Sequence, residues 1–133
     1  MKTLIDSELH PTNAALLASV QSPDLSEEDN ISSLDELERL LETLGTVVCG
    51  RFTQKRKGYD SPTVFGEGKL IEIADKIAEF KKMGNLVTKV DFDRELSPLQ
   101  SRNVEEAIND RLAELKSEQE IHVSDRTGII IDI

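Results

Sequence analysis

The 133-residue chain has no tryptophan, one tyrosine and one cysteine, Cys49. A single cysteine excludes a disulfide within the chain. No apolar run approaches the length of a membrane-spanning helix, and the first residues lack the pattern of a secretory signal. Basic residues are also scarce, with 16 Lys and Arg against 26 Asp and Glu, which gives a formal charge of −10. This balance disfavours non-specific binding to nucleic acid or to an anionic membrane. We therefore expect a cytoplasmic protein with no membrane partner.

Histidine is equally scarce, which limits the chemistry available. His10 and His122 are the two histidines, and neither has a histidine, cysteine or carboxylate nearby at the spacing of metal ligands. Cys49 lies in a run of β-branched residues and is predicted to be a small buried apolar side chain. No Ser–His–Asp or Cys–His arrangement is present to support a nucleophile. We expect no catalysis, no metal site and no cofactor in this chain.

The charges are unevenly distributed along the chain. Residues 24–43 contain eight acids and one base, Arg39. Residues 51–69 reverse this balance, with a local charge of +3 from five bases and two acids: Arg51, Lys55, Arg56, Lys57 and Lys69 against Asp60 and Glu67. Such a basic stretch indicates either an edge that faces phosphate groups or a solvated loop. Tyr59, between Gly58 and Asp60, is the one aromatic residue predicted to be exposed for stacking on RNA bases.

Hydrophobic periodicity predicts strands that alternate with helices. The strand-like runs are residues 14–20, 46–52, 86–92 and 120–124. Strands joined through helices pair in parallel, by right-handed crossovers. The predicted fold is therefore α/β, with a small four-stranded, mainly parallel sheet flanked by three helices. The polar and apolar alternation in residues 86–92 predicts a strand with one wet face or at an edge.

Capping patterns predict where the helices begin. Ser33 and Glu36 form a capping-box pattern, so the acidic residues 24–32 are predicted to be a solvated loop before the first helix. Ser97 and Gln100 form a second such pattern before the third helix.

The second helix follows Gly66-Glu67-Gly68-Lys69, a glycine-rich helix start that favours an anion. A P-loop would need glycine where Thr63 stands and a hydroxyl where Leu70 stands, so no magnesium–nucleotide site of that type exists. We favour a tight turn that lets the helix pack closely on the sheet. The alternative is a small nucleotide-binding α/β protein that uses the Gly66–Lys69 turn.

A polar cluster surrounds the start of the third helix: Asp93, Arg94, Glu95 and Arg102. Residues that follow the carboxyl end of a parallel strand line the usual ligand crevice. Helix capping and dipole complementarity explain the two acids equally well. We therefore expect no acid–base chemistry from this cluster, and its arginines remain candidates for partner binding.

Three motifs together resemble the N-terminal domain of HflX-type GTPases, a ribosome-associated family. They are residues 93–105, which begin Asp93-Arg94-Glu95-Leu96-Ser97; Thr53-Gln54-Lys55-Arg56 followed by Gly66-Glu67-Gly68-Lys69; and Asp125-Arg126-Thr127-Gly128. The resemblance implies an α/β domain that in longer relatives precedes a helical hairpin and a GTPase domain. It also implies binding to the large ribosomal subunit. The GTP-binding motifs are absent from this chain, so the resemblance implies no GTPase residue here and a truncated or stand-alone relative.

We expect a mobile N-terminal arm, residues 1–13, because it offers few apolar anchors. The resemblance implies one HflX N-terminal-like α/β domain, residues 14–133. The implied function is a non-catalytic module that associates with the ribosome or its RNA. The implied contact residues are Gln54, Lys55, Arg56, Lys57, Tyr59, Lys69, Arg94 and Arg102, with Gly66, Gly68 and Lys69 as an anion-binding turn. The implied partners are the large ribosomal subunit and its RNA, a separate GTPase domain, or a second copy.

The C-terminal tail gives conflicting signals. Residues 127–133 contain four isoleucines, so propensity predicts a strand, whereas the resemblance implies the start of a long helix. Four exposed isoleucines would form an apolar patch that soluble monomers seldom carry. We therefore expect the tail to be buried against its own domain or in a symmetric dimer.

Overall fold

The computed structural model describes residues 13–55 and 63–131. In chain order the elements are β1 (Asn13–Gln21), α1 (Glu27–Thr43), β2 (Thr46–Lys55), α2 (Glu67–Lys82), β3 (Lys89–Phe92), α3 (Pro98–Glu114), β4 (His122–Asp125) and α4 (Arg126–Ile131). All strand pairs are parallel, in the order β2-β1-β3-β4. The predicted four-stranded α/β fold is confirmed. The predicted N-terminal arm, except Asn13, lies outside the described residues.

The two faces of the sheet carry cores of different size. On one face α1 packs three leucines against Leu17 of β1: Leu34, Leu37 and Leu41. On the other face α2 and α3 cover a larger core that includes Leu16, Ala18, Ile73, Ile77, Val90, Phe92, Val104 and Ile108. Each fully buried aliphatic side chain contributes about 1.5–3 kcal/mol. The layer of α2 and α3 therefore supplies most of the apolar stabilisation among the described residues.

The first helix begins earlier than its sequence pattern predicts. Ser26 Oγ accepts a hydrogen bond from the Asp29 amide at 3.0 Å, and Glu27 and Glu28 complete an acidic first turn. Carboxylates at a helix N-terminus are stabilised by the helix dipole. The prediction of a loop over residues 24–32 is therefore wrong from Glu27 onward, because these acids form the first turn of α1.

The third helix begins as predicted. Ser97 Oγ accepts from the Gln100 amide, Gln100 Oε1 accepts from the Ser97 amide, each at 3.1 Å, and Pro98 occupies the first turn. This capping box satisfies two backbone donors that have no partner inside the helix.

The third strand, β3, is central rather than at an edge. It lies between β1 and β4, and Val90, Asp91 and Phe92 are all buried. The Asp91 carboxylate is fully buried and lies 3.6 Å from the Lys89 ammonium. The prediction of a wet face or an edge position is wrong, because the polar alternation reflects this ion pair and not contact with solvent.

A β-bulge sets the direction in which the end of β2 points. Ala15 pairs with Val48 but Leu16 pairs with Gly50, so Cys49 is an extra residue in β2. A shift of one residue sends every following side chain to the opposite face. Because of the bulge, the Arg51 side chain lies on the face of the sheet that α1 covers.

The chain is helical at its C-terminal end, through Ile131. Asp125 Oδ1 accepts a hydrogen bond from the Gly128 amide at 3.0 Å, which satisfies a donor in the first turn of α4. The helix agrees with the resemblance, and the strand predicted from propensity is wrong for these residues. The predicted burial of the isoleucines concerns side chains outside those the structure describes. None of the described helices is long and apolar enough to cross a membrane.

Candidate functional site

The carboxyl ends of four parallel strands meet at one edge of the sheet, and two polar clusters lie there. The first, here called the basic corner, consists of Gln54 and Lys55 at the end of β2 with Gly66, Gly68 and Lys69 at the start of α2. The Gly66 amide donates a hydrogen bond to Gln54 Oε1 at 2.9 Å. This contact brings two segments that the sequence places twelve residues apart onto one surface.

The two lysines of the basic corner differ in exposure. The Lys55 side chain is 76% exposed, and its ammonium lies 3.9 Å from Glu27 at the start of α1. Lys69 is largely covered, and its ammonium lies 3.2 Å from Glu72 on the same helix. Exposed ion pairs are weak and are easily exchanged for a phosphate partner. Lys55 is therefore the more accessible cation of the corner.

Arg51, which belongs to the basic stretch of the sequence, does not join the basic corner. Its guanidinium contacts Asp35 at 2.7 Å and Glu38 at 2.9 Å on α1. Partial burial opposes its charge, but the hydrogen bonds to Asp35 and Glu38 outweigh this effect and raise the pKa of Arg51. The local positive charge of residues 51–69 is thus smaller in the fold than in the sequence.

The glycines before α2 do not form a preorganised anion cradle. The Gly66 amide, which an anion would need, is already donated to Gln54. A Cβ atom on Gly68 would meet nothing within 4 Å, so Gly68 itself is not required for the predicted close packing of the helix on the sheet. The geometry therefore disfavours the alternative of a nucleotide-binding turn.

A strained turn leads into this segment. Val64 is fully buried and has a φ of 66°, a region that β-branched residues rarely adopt. Thr63 O accepts from the Phe65 amide, and Thr63 Oγ1 donates to Phe65 O at 2.8 Å. These bonds close a three-residue turn in which Phe65 reaches the core beside Phe92. The turn fixes the point at which α2 begins.

The second cluster, here called the Arg126 corner, consists of Asp93, Glu95, Asp125, Arg126 and Thr127. Arg126 donates to Asp93, and it also reaches α1, where it lies 3.2 Å from Glu36 Oε1 and 3.0 Å from Ser33 Oγ. The Asp93 side chain is only 3% exposed. One guanidinium therefore joins α1, the loop after β3 and the start of α4.

Two further contacts close the Arg126 corner. Asp125 Oδ2 accepts from the Leu96 amide at 2.8 Å, and Thr127 Oγ1 lies 3.3 Å from Glu95 Oε2. Sequence reasoning grouped Asp93 and Glu95 as carboxylates near a crevice but assigned no role to Arg126. The available signal was the appearance of Arg126 in one of the matched motifs.

The two arginines proposed for partner binding lie near the Arg126 corner. Arg94 is half-buried and donates from Nε to Glu95 O at 3.1 Å, whereas Arg102 is exposed on α3. Strand β1 separates β3 from β2, so the fold places these arginines two strands away from Lys55. Those predicted contact residues that the structure describes therefore form two groups.

Some predicted features lie elsewhere. Arg56, Lys57 and Tyr59 lie outside the described residues. Within residues 13–55 and 63–131 no group of three or more metal-ligating side chains is found. Cys49 is half-buried rather than fully buried, and this burial raises the pKa of its thiol.

Comparison with known proteins gives a consistent result. The family described as "GTP-binding GTPase N-terminal" matches residues 31–133. A protein named GTPase HflX from Lacrimispora saccharolytica is 38% identical over 118 residues, which cover 89% of this chain and 24% of that protein. Its namesake from Escherichia coli K12 is 36% identical over 108 residues, covering 81% of this chain and 22% of that protein. The chain spans about a quarter of the length of these relatives.

The family match covers most of the chain, including all of β2 and the motifs of both corners. The parallel α/β fold is the architecture that the resemblance implied. The chain belongs to the GTP-binding GTPase N-terminal family, and the curated relatives described above carry the name GTPase HflX.

Proposed function

We propose that this chain is a non-catalytic module that contacts RNA of the large ribosomal subunit through the basic corner. The observation that carries the proposal is the 2.9 Å bond from the Gly66 amide to Gln54, which holds Lys55 and Lys69 on one surface. Family membership supports the choice of partner, because the resemblance implies association with ribosomes. A cytoplasmic location follows from that partner.

The physical basis is short-range attraction to phosphate. A chain with a formal charge of −10 is repelled from RNA at long range, so contact requires a local cluster of cations. Arg56 and Lys57 follow Lys55 in the sequence and extend this cluster in the proposal. Each neutralised phosphate releases counterions, so binding should weaken steeply with salt.

Two further groups complete the proposed contact surface. Tyr59 would stack on an unpaired base, an interaction of about 1–3 kcal/mol. Arg94 and Arg102 would contact backbone phosphates at the other end of the sheet edge. The Gly66–Lys69 turn contributes the Lys69 ammonium to the proposed contact, because its Gly66 amide is already donated to Gln54.

In this proposal GTP hydrolysis belongs to a separate GTPase domain. The relatives named GTPase are about four times as long as the segment matched here. We propose that residues 14–133 act as one domain together with a GTPase domain. The C-terminal tail is a proposed contact with that domain or with a second copy.

Co-sedimentation with purified large ribosomal subunits tests the proposal. Reversing the charges of Lys55, Arg56, Lys57 and Lys69 should abolish binding at about 0.1 M salt, because four phosphate contacts are replaced by repulsion. Comparison of RNase-treated with mock-treated subunits shows whether RNA is the partner, because RNase treatment should reduce binding. Undiminished binding by the reversed variant would refute the contact surface.

A further inference from the structure

The outer surface of the α2–α3 layer carries a groove whose two ends have opposite charge. At one end a cavity of about 530 Å³ is lined by four bases, Lys81, Lys82, Arg111 and Lys116, and by two acids, Asp75 and Glu79, so bases are in excess there. At the other end a cavity of about 360 Å³ is lined by three acids: Glu67, Asp110 and Glu114. These are the basic end and the acidic end of the groove. Arg111 lines both cavities and marks the middle.

In the middle of the groove one base, Arg111, bonds to two acids. Arg111 Nε donates to Asp75 at 3.0 Å and its NH1 to Glu114 at 3.3 Å. The hydrogen bonds to Asp75 and Glu114 raise the pKa of Arg111, so it stays charged. This network ties α2 to α3 and fixes the distance between the two ends.

Each end of the groove also exposes one large apolar side chain. Ile71 is 38% exposed at the acidic end and Leu115 is 39% exposed at the basic end. An exposed apolar side chain beside a rim with an excess of one charge is typical of an interface whose rim selects the partner by charge.

Lys116 provides an independent indication that the basic end is functional. The first two helices are followed by Gly45 and Gly84, with φ of 87° and 89°. At the corresponding position after α3 stands Lys116, with a φ of 58°. Glycine adopts this conformation most easily, so a lysine there carries backbone strain at the rim of the basic end, which supports a role for its side chain.

We propose that this groove binds a second copy of the chain in a two-fold dimer. A two-fold axis through the middle of the groove would place the basic end of each copy on the acidic end of the other. Such an isologous interface needs a surface that is complementary to itself, and a groove with opposite ends has that property. Ile71 of one copy would then meet Leu115 of the other.

The basic end of the groove is separate from the proposed RNA contact, whereas the acidic end begins at Glu67, beside the basic corner. The basic end lies at the C-terminal end of α2, and the basic corner lies at its N-terminal end. A helix of 16 residues is about 24 Å long. Reversing the charges of Lys82 and Lys116 should therefore abolish dimers and leave co-sedimentation with large subunits unchanged, so the two proposals can fail independently.

Charge reversal and mixing test the dimer by sedimentation equilibrium of the full chain. Lys82→Glu with Lys116→Glu makes both ends acidic, and Glu67→Lys with Asp110→Lys makes both ends basic. Each double variant alone should dissociate at least about tenfold more easily than the native chain. An equimolar mixture of the two should associate again, because their ends become complementary.

The matched control for the Lys82 and Lys116 variant is Arg39→Glu with Lys55→Glu, which makes the same change in net charge but away from the groove. It should dimerise like the native chain, and far-ultraviolet circular dichroism should show that all variants fold. A native chain that remains monomeric at about 1 mM would overturn the proposal. So would a mixture of the two double variants that remains monomeric while the native chain dimerises.

Discussion

At the Arg126 corner one guanidinium contacts two other elements, α1 and the loop after β3, and its partner Asp93 is 3% exposed. At the basic corner, at the same edge of the sheet, Lys55 keeps 76% of its side chain in solvent. Both corners contain residues of the motifs that match the family. At the Arg126 corner these residues bond to one another and to α1, whereas at the basic corner the Lys55 ammonium stays available to a partner.

The difference between the two corners distinguishes polar residues that stabilise the fold from polar residues that can bind a partner. Asp93, Asp125 and Arg126 have partners inside the domain, so packing and hydrogen bonding account for their presence. Within the described part of the chain, Lys55 makes one weak ion pair, with Glu27, and this pair accounts for little of the stability. We therefore assign stability to the Arg126 corner and partner binding to the basic corner.

The sharpest test of this comparison is Arg126→Ala. Removing the guanidinium leaves the nearly buried Asp93 carboxylate without its ion pair, which should cost about 3 kcal/mol of unfolding free energy. Arg126→Lys keeps the charge but loses the several hydrogen bonds, and should cost about half as much. Urea unfolding measures both values.

The basic corner supplies the contrast to this prediction. Lys55→Ala, at an exposed position, should change the free energy of unfolding by less than about 0.5 kcal/mol. If Arg126→Ala costs no more than Lys55→Ala, the division of roles between the two corners is wrong.

Gln54 tests how the basic corner is held together. Gln54→Ala leaves the half-buried Gly66 amide without its acceptor and should cost about 1–1.5 kcal/mol. Affinity for large subunits should fall as well, although no charge is removed. Gln54→Glu keeps an acceptor and is the matched control for stability. Unchanged affinity in Gln54→Ala, with the loss of stability observed, would show that the bond does not position the lysines.

Ser26 tests where α1 begins. Ser26→Ala removes the side-chain acceptor of the Asp29 amide and should destabilise the protein by about 1 kcal/mol. Ser33→Ala removes a contact with Arg126 and should lose part of its effect in the Arg126→Ala background, whereas Ser26→Ala should not. Equal coupling of both serines to Arg126 would contradict these assignments.

Cys49 gives the smallest expected effect. Burial raises the pKa of its thiol, so the folded state holds this proton more tightly than the unfolded state does. The resulting stability is present below the ordinary thiol pKa and is lost as pH rises through the raised value. Disulfide-exchange labelling should be slower in the native protein than in urea at the same pH. Equal rates would contradict the burial of the bulge residue.

Much of the fold could be predicted from the sequence, because strand-length apolar runs alternate with capped amphipathic helices. The start of α1 was misplaced because Ser33 and Glu36 imitate a cap, while Ser26 and Asp29 form the actual one. The bulge at Cys49 could not be predicted, because it depends on the register between β1 and β2.

The candidate site was predictable only in part, for a related reason. The cations of residues 51–69 are visible in the sequence, but the pairing of Arg51 with Asp35 and Glu38 of α1 is not. The contact between Arg126 and Ser33 joins residues 93 positions apart and exists only in the folded chain. Pairings of this kind decide which polar residues stay available to a partner.

The most direct test of the account is the salt dependence of binding to large ribosomal subunits for Lys55→Glu with Lys69→Glu. The matched control is Arg39→Glu with Lys76→Glu, which makes the same change in net charge away from the basic corner. The account predicts that the first variant lowers the slope of log affinity against log salt by about 1–2 and the control leaves it unchanged. Equal slopes for the two variants would contradict the assignment of the basic corner as the contact surface.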